Sequence, residues 1–186
     1  MGDPRKQRKK FETPRFPWRT DVLEMELKLL GQYGLRNKRE IWRHKTVLSK
    51  YRGIARSLLG MSVEERREPQ KQLLDRLNRL GTLPETAVLD DVLVLSLEDI
   101  LERRLQTLVF QKGFAKSIHH ARQLITHGHV AIAGRRVSSP SYLVLKEEEA
   151  KITYASTSPL STPNQPLQKS AAVPAKAKSA VEEEKS

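Results

Sequence analysis

Apolar positions fall into helical stripes over most of this chain and change to alternation near its end. Leu23, Leu27 and Leu30 recur at helical spacing after Thr20 and Asp21, and Gly31 with Gly34 closes that segment. Ile41, Leu48, Tyr51, Ala55 and Leu58 form a second stripe. It predicts a helix from about Lys38 to Leu59 whose other face bears Arg39, Arg43, Lys50 and Arg56. Ser62 and Glu65 have the spacing of a capping box, and Leu73, Leu77 and Leu80 continue past Pro69 toward Gly81. Such stripes form cores, so residues 21–95 read as a helical subdomain.

Beyond it the period changes. Ser96 caps a helix lined by Leu97, Ile100, Leu101, Leu105 and Leu108, with Gly113 placed to end it. A second helix runs from Ser117 to about His127 and stops at Gly128. Val130 and Ile132 then alternate with His129 and Ala131. A turn at Gly134, a Ser-Ser-Pro-Ser corner and the segments Tyr142–Leu145 and Lys151–Tyr154 complete a small, mostly antiparallel sheet. Residues 96–155 therefore read as two helices against a sheet, and the class is α+β. Residues 1–20 are too polar to fold alone and read as an extended basic arm that orders on a partner, with a disordered basic tail or a localisation signal as the alternatives. Residues 156–186, rich in Ser, Thr, Pro, Ala and Lys, read as a disordered tail. No repeat of 20–50 residues is present.

Charge sharpens this picture. Among 186 residues, 34 Lys and Arg face 22 Asp and Glu, a net charge of +12 that calls for a polyanionic partner. The distribution is uneven: residues 81–102 hold six acids and no Lys or Arg, whereas Arg103 to Lys146 holds eight Lys or Arg and no acid. Ordinary surfaces mix signs, so the acid-free stretch points to a face that meets phosphates. With no cysteine there is no disulfide, no thiolate chemistry and no Cys-ligated metal. No apolar run exceeds four residues, which excludes a membrane helix. The opening MGDPRKQRKKF has no apolar stretch to act as a signal peptide, and Lys6 stands where myristoylation needs Ser or Thr, so a cytoplasmic location is expected.

On a helical wheel Ile118, Ala121, Leu124 and Ile125 share one side of the second helix. Lys116, His119, Gln123 and His127 line the other, flanked by Arg122. A helix so arranged, with a Ser cap at its anion-favouring end, suits a phosphodiester backbone. The hairpin adds His129, Arg135 and Arg136, the corner adds Ser141 and Tyr142, and Arg103 opens the acid-free run. Tyr can stack on a base or donate to a ribose hydroxyl, and a core role is its alternative. Arg122 and His127 lie off the apolar face, so alanine at either position is expected to weaken RNA binding and leave the fold intact. His119, His120, His127 and His129 lack the Asp, Glu or Cys that would complete a metal site, and no metal or cofactor is expected. No nucleophile and base pairing, phosphate loop or HExxH motif appears. An RNA-handling enzyme would need its catalytic half in residues 1–95, which hold no acid/base pair.

LEDILERRL (97–105), KGFAKSIHHARQLITHGHVAIAGRRV (112–137) and PSYLV (140–144) resemble the RNA-binding domain named after small-subunit ribosomal protein four. KQRKKFETPRFPW (6–18) and GQYGLRNKREIWR (31–43) resemble the archaeal and eukaryotic form of that ribosomal protein family, nearer the archaeal in size. The resemblance implies a non-enzymatic primary binder of small-subunit rRNA in the cytoplasmic ribosome. It implies nucleation of body assembly and contact with ribosomal protein five at an interface affecting accuracy, with no small-molecule substrate, membrane partner or homo-oligomer. It carries RNA contact to Lys116, His119, Arg122, Gln123, His127, His129, Arg135 and Tyr142. Arg36, Lys38, Arg39 and Arg43 support them, as do Arg5, Lys6, Arg8, Lys9 and Lys10 of the arm. Arg104 matches the motif Arg after Leu-Glu-x, but its place beside the apolar stripe suits bracing the domain. Two departures stand out: no cysteine for the zinc knuckle of many bacterial members, and Ala133 where Asn is common. A free regulator that binds structured mRNA is the remaining alternative.

Overall fold

The computed structural model describes residues 9–161; Arg5, Lys6 and Arg8, and the tail from residue 162, lie outside the described residues. The helical subdomain comprises α1 (Thr20–Gln32), α2 (Lys38–Leu59), α3 (Val63–Leu80) and α4 (Leu89–Val94). The second helix has the expected bounds: Asn37 Oδ1 caps it by accepting from the Glu40 amide at 3.1 Å. Its stripe buries Leu48, Tyr51, Ala55 and Leu58 against Leu73 and Leu77 of α3 and Leu89 and Val92 of α4. Each fully buried Leu or Val there contributes about 1.5–3 kcal/mol. Gly81 ends α3 in the left-handed conformation, φ 72°.

Two local expectations fail here. Ser62 precedes α3, but its side chain makes no capping hydrogen bond, so the box with Glu65 is not formed. In α1 the stripe is displaced: Leu27 is 60% exposed while Glu26 is 7% exposed. That carboxylate accepts from Trp42 Nε1 at 2.8 Å and pairs with Lys38 at 3.2 Å. Partners supplied by α2 are what make an acid acceptable at a core-facing position. Nor is the described part of the arm free of the fold. The Glu12 amide donates to Thr46 Oγ1 at 3.0 Å, and the Phe11 ring lies against Trp42.

The following module contains α5 (Leu97–Glu102), α6 (Leu105–Gln111), α7 (Ile118–Thr126), β1 (Val130–Ile132), β2 (Arg135–Arg136), α8 (Lys146–Glu149) and β3 (Ile152–Tyr154). Ser96 and Asp99 form a reciprocal capping box at the start of α5. The single helix expected from Ser96 is broken at Arg103–Arg104. Arg104 is extended (φ −74°, ψ 142°) and bridges Leu143, while the Leu105 amide donates to the Tyr142 carbonyl. Residues 142–144 thus pair with the helix break and add no strand to the sheet. The sheet order is β2-β1-β3, all antiparallel. Val130, Ile132, Val144 and Ile152 pack with Leu105, Leu108, Val109, Ala121, Leu124 and Ile125 into one core. A smaller cluster of Tyr33, Leu35, Ile41 and Leu101 joins the two halves.

The tail begins later than expected. Ser158 is buried, His129 Nδ1 lies 2.9 Å from its Oγ, and Leu160 packs on the module's core, so residues 156–161 belong to the fold.

At the hairpin Ile132 stands opposite Arg135, and Ala133 (φ 48°) and Gly134 (φ 77°) make a two-residue turn with both φ positive. An alanine Cβ is unfavourable there, whereas Asn tolerates it. Ala133→Asn is expected to stabilise the protein by about 0.5–1 kcal/mol, read as a raised urea midpoint. A midpoint at or below the parent's would show that the turn carries no such strain.

Candidate nucleic-acid interface

The face of α7 away from the core carries the expected line. Ser117 Oγ accepts from the His120 amide at 3.1 Å, capping the helix. Lys116, His119, Gln123 and His127 are exposed, with His127 just past the last helical turn. Gly128 (φ 78°) turns the chain into β1, and a Cβ at that position would collide with the Arg136 guanidinium. This contact lays Arg136 back across the end of α7, where it reaches the His127 carbonyl at 3.5 Å. Arg135 and Arg136 are exposed, and His129 is half-buried. Lys116, Arg135 and Arg136 make no ion pair among the described residues.

Other members of the expected set are committed elsewhere. Arg103, with its side chain 13% exposed, pairs with Glu149 at 2.7 Å and donates to the Val144 carbonyl. Tyr142 donates its hydroxyl to the Glu148 carboxylate at 2.9 Å, and the Ser141 hydroxyl lies 3.3 Å from that of Ser139. Lys38 pairs with Glu26. The largest change concerns Arg122, whose Nη2 donates to Glu40 Oε1 at 2.8 Å. The helical wheel gave no sign of this pairing, and with it the substitution is expected to disturb the joint with α2 as well as the surface; His127 keeps its exposed place. The acid-free run is not an acid-free surface, because Glu40, Glu85 and Glu149 reach it from outside.

Sequence reasoning passed over Glu40 and His44. Arg104, fully buried, donates from Nη2 to Glu40 Oε2 at 2.7 Å and from Nη1 to His44 Nε2 at 2.8 Å. It braces the fold, as its place beside the stripe suggested. A legible signal did exist: Glu40 is the one acid between Glu26 and Glu64, a stretch holding nine Lys or Arg. Burial works to raise the Glu40 pKa, but the hydrogen bond from Arg122 and the charge and hydrogen bond of Arg104 hold it below the ordinary value. His44 is pushed from 6.5 down to about 4, first by burial and then by the Arg104 charge.

Because His44 protonates in the unfolded chain before the folded one, stability is lost as pH falls from about 6.5 toward 4. The loss is on the order of 3 kcal/mol. His44→Gln retains an acceptor for Arg104 and is expected to flatten that limb in urea titrations across pH; an unchanged slope would assign it to other groups.

The ion pairs seat the first turn of α2 against the middle of α7. Arg36, Arg39 and Arg43, all exposed, lie within one helical turn of Glu40 in sequence, as His119 and Gln123 do of Arg122. Lys9 and Arg39 both sit over the Phe11 ring, 4.9 and 6.0 Å from its centroid, and Lys10 is exposed. Among the described residues no group of three or more His, Asp or Glu is placed to hold a metal ion, and no helix is long and apolar enough to cross a membrane.

Comparison with known proteins agrees with this geometry. The S4 domain family matches residues 103–149, from the break between α5 and α6 through α8. The small ribosomal subunit protein uS4 of Ignicoccus hospitalis is 58% identical over 159 residues, covering 86% of this chain and 96% of the relative. That of Hyperthermus butylicus is 57% identical over 159 residues (86% and 90%), and that of Metallosphaera sedula 51% over 160 residues (86% and 89%). Identity at this level over nearly the whole of each relative, with an S4 domain on the module that carries the exposed α7 face, shows that the chain belongs to the small ribosomal subunit protein uS4 family.

Proposed function

We propose that this chain is a structural, rRNA-binding component of the small ribosomal subunit, working in the cytoplasm. The observation that carries the reading is the surface where Lys116, His119, Gln123, His127, Arg135 and Arg136 stand exposed, joined through Glu40 to Arg36, Arg39 and Arg43 of the other half. Such a surface recognises folded RNA by shape, phosphate and ribose contacts more than by base edges. The family is one of ribosomal proteins with a structural role, so the chain is not an enzyme. Early binding that nucleates assembly of the subunit body is part of the proposal.

A contact with ribosomal protein five belongs to it too. A largely apolar groove of about 810 Å³ is lined by Val22, exposed Met25, Leu29, Leu48, Leu93 and Leu97, with Lys45, Arg52 and Arg56 also on its wall. Apolar surface of this kind suits a protein neighbour better than RNA. Crosslinks from this groove to protein five within intact subunits would support the contact, and crosslinks only to other components would remove it.

Affinity for small-subunit rRNA is expected to fall steeply with salt, with a slope of up to about −0.9 per phosphate neutralised on the duplex-DNA guide. Arg135→Ala, which breaks no ion pair among the described residues, should weaken binding and reduce the slope by about one. A flat salt response, or recovery of the chain only outside ribosomal particles on a sucrose gradient, would sink the reading.

A further inference from the structure

We propose that Glu40 is a positioning residue for RNA binding: its one carboxylate bridges two arginines of the S4 module and holds the two halves of the basic surface in register. The inference rests on the RNA-binding reading. An acid at this place opposes a polyanion. Between Glu26 and Glu64 it stands alone among Lys28, Arg36, Lys38, Arg39, Arg43, Lys45, Lys50, Arg52 and Arg56. A carboxylate at this place has to make a contribution that offsets that repulsion.

The geometry supplies one. Glu40 is the third residue of α2, and Asn37 caps the helix through the Glu40 amide. Asn37 to Glu40 has the spacing in which the carboxylate turns back to the cap residue's own amide. Here it turns outward. Oε2 accepts from Arg104 Nη2 at 2.7 Å, and Oε1 accepts from Arg122 Nη2 at 2.8 Å. Arg104 sits at the break between α5 and α6 and Arg122 in the middle of α7, so one side chain fixes α2 to two separate elements. A second row of contacts runs beside it. Arg122 Nη1 lies 3.4 Å from Gln106 Oε1, and Gln106 Nε2 donates to the carbonyls of Gly34 and Ile118, each at 3.0 Å.

A half-buried carboxylate shared by two guanidiniums is satisfied in few orientations, which gives the joint directionality that the apolar cluster of Ile41 and Leu101 lacks. Two tethered binding surfaces act together only if their spacing matches that of the phosphates. With the carboxylate gone, the halves remain attached but their register loosens.

Full-length protein, folded small-subunit rRNA and a salt titration test this. Glu40→Gln removes one negative charge, and electrostatics alone predicts tighter binding. The expected result is the opposite sign: affinity at least about tenfold lower, with a shallower salt slope, because fewer phosphates are engaged at once. Circular dichroism confirms that the variant is folded. A folded Glu40→Gln that binds as tightly as the parent, or more tightly, would overturn the proposal. Should Glu40→Gln not fold, Glu40→Asp keeps the charge but shortens the reach, and a smaller loss in the same direction is expected; parity overturns the proposal.

The chain has no cysteine, so spin labels can be placed at exposed Ser57→Cys on α2 and Thr126→Cys on α7. Their distance distribution should be narrow in the parent and broadened in either Glu40 variant. An unchanged distribution refutes the positioning role even if the variant binds more weakly. A parent that shows no salt-dependent rRNA binding refutes the underlying reading instead.

Discussion

Arg104→Ala is expected to lower the unfolding free energy by about 3–5 kcal/mol, a shift on the order of 10 °C in melting temperature. The side chain is fully buried, and Nη2 and Nη1 donate to Glu40 Oε2 and His44 Nε2. Removing it leaves His44 Nε2 without a donor in a site closed to water. Glu40 remains charged with Arg122 as its remaining ion-pair partner, and a void opens where the buried side chain lay. Arg104→Met fills the void without restoring the hydrogen bonds and should recover part of the loss. Urea unfolding with a constant slope isolates the effect. A loss below about 1 kcal/mol for Arg104→Ala would mean that water or Arg122 substitutes for it, and the joint would then have to be held by apolar packing alone.

Gly34→Ala should cost about 2–4 kcal/mol. Gly34 has φ +57°, where an L side chain is disfavoured, and a Cβ there would lie 2.8 Å from Gln106 Nε2 and from Ile118 Cγ2. Neither neighbour yields cheaply. Gln106 is buried with its amide donating to two carbonyls, one of them Gly34's own, and Ile118 is fixed in the first turn of α7. The matching control is Gly31→Ala. Gly31 lies inside α1 with open space around it, so alanine there should stabilise by about 0.5–1 kcal/mol. Equal effects from the two substitutions would show that Gly34 is not a tight contact. Because the turn at Gly34 docks on α6 and α7, this substitution should also weaken rRNA binding beyond what lost stability explains.

The two halves of the chain differed in how directly they could be read. Period placed α2, and period with a Ser cap placed α7, to within about a residue, because each has a continuous apolar face. The same reasoning failed for α5 and α6. Their apolar positions keep one helical phase from Leu97 to Leu108, yet Arg104 leaves the helix to pair with Leu143, some forty residues on. Local periodicity contains no information about such a partner. For the interface, sequence singled out the exposed cations Lys116, Arg135 and Arg136 and the outward line His119, Gln123 and His127. It could not show that Arg103 and Arg122 are paired, because the acids that bind them lie 46 and 82 positions away.

By itself the sequence determined the α+β class, the polyanion-seeking charge, the outward face of α7 and the family. These follow from composition, from a period along one segment, or from a contiguous motif. Tertiary structure alone decided which charges remain available to a partner and how the halves are joined. An ion pair depends on distance in space, and folding brought Glu26, Glu40, Glu85 and Glu149 to bases remote in sequence. Once the carboxylate of Glu40 is shared by two buried or half-buried guanidiniums, it ceases to be surface charge and becomes part of the frame that aims the others.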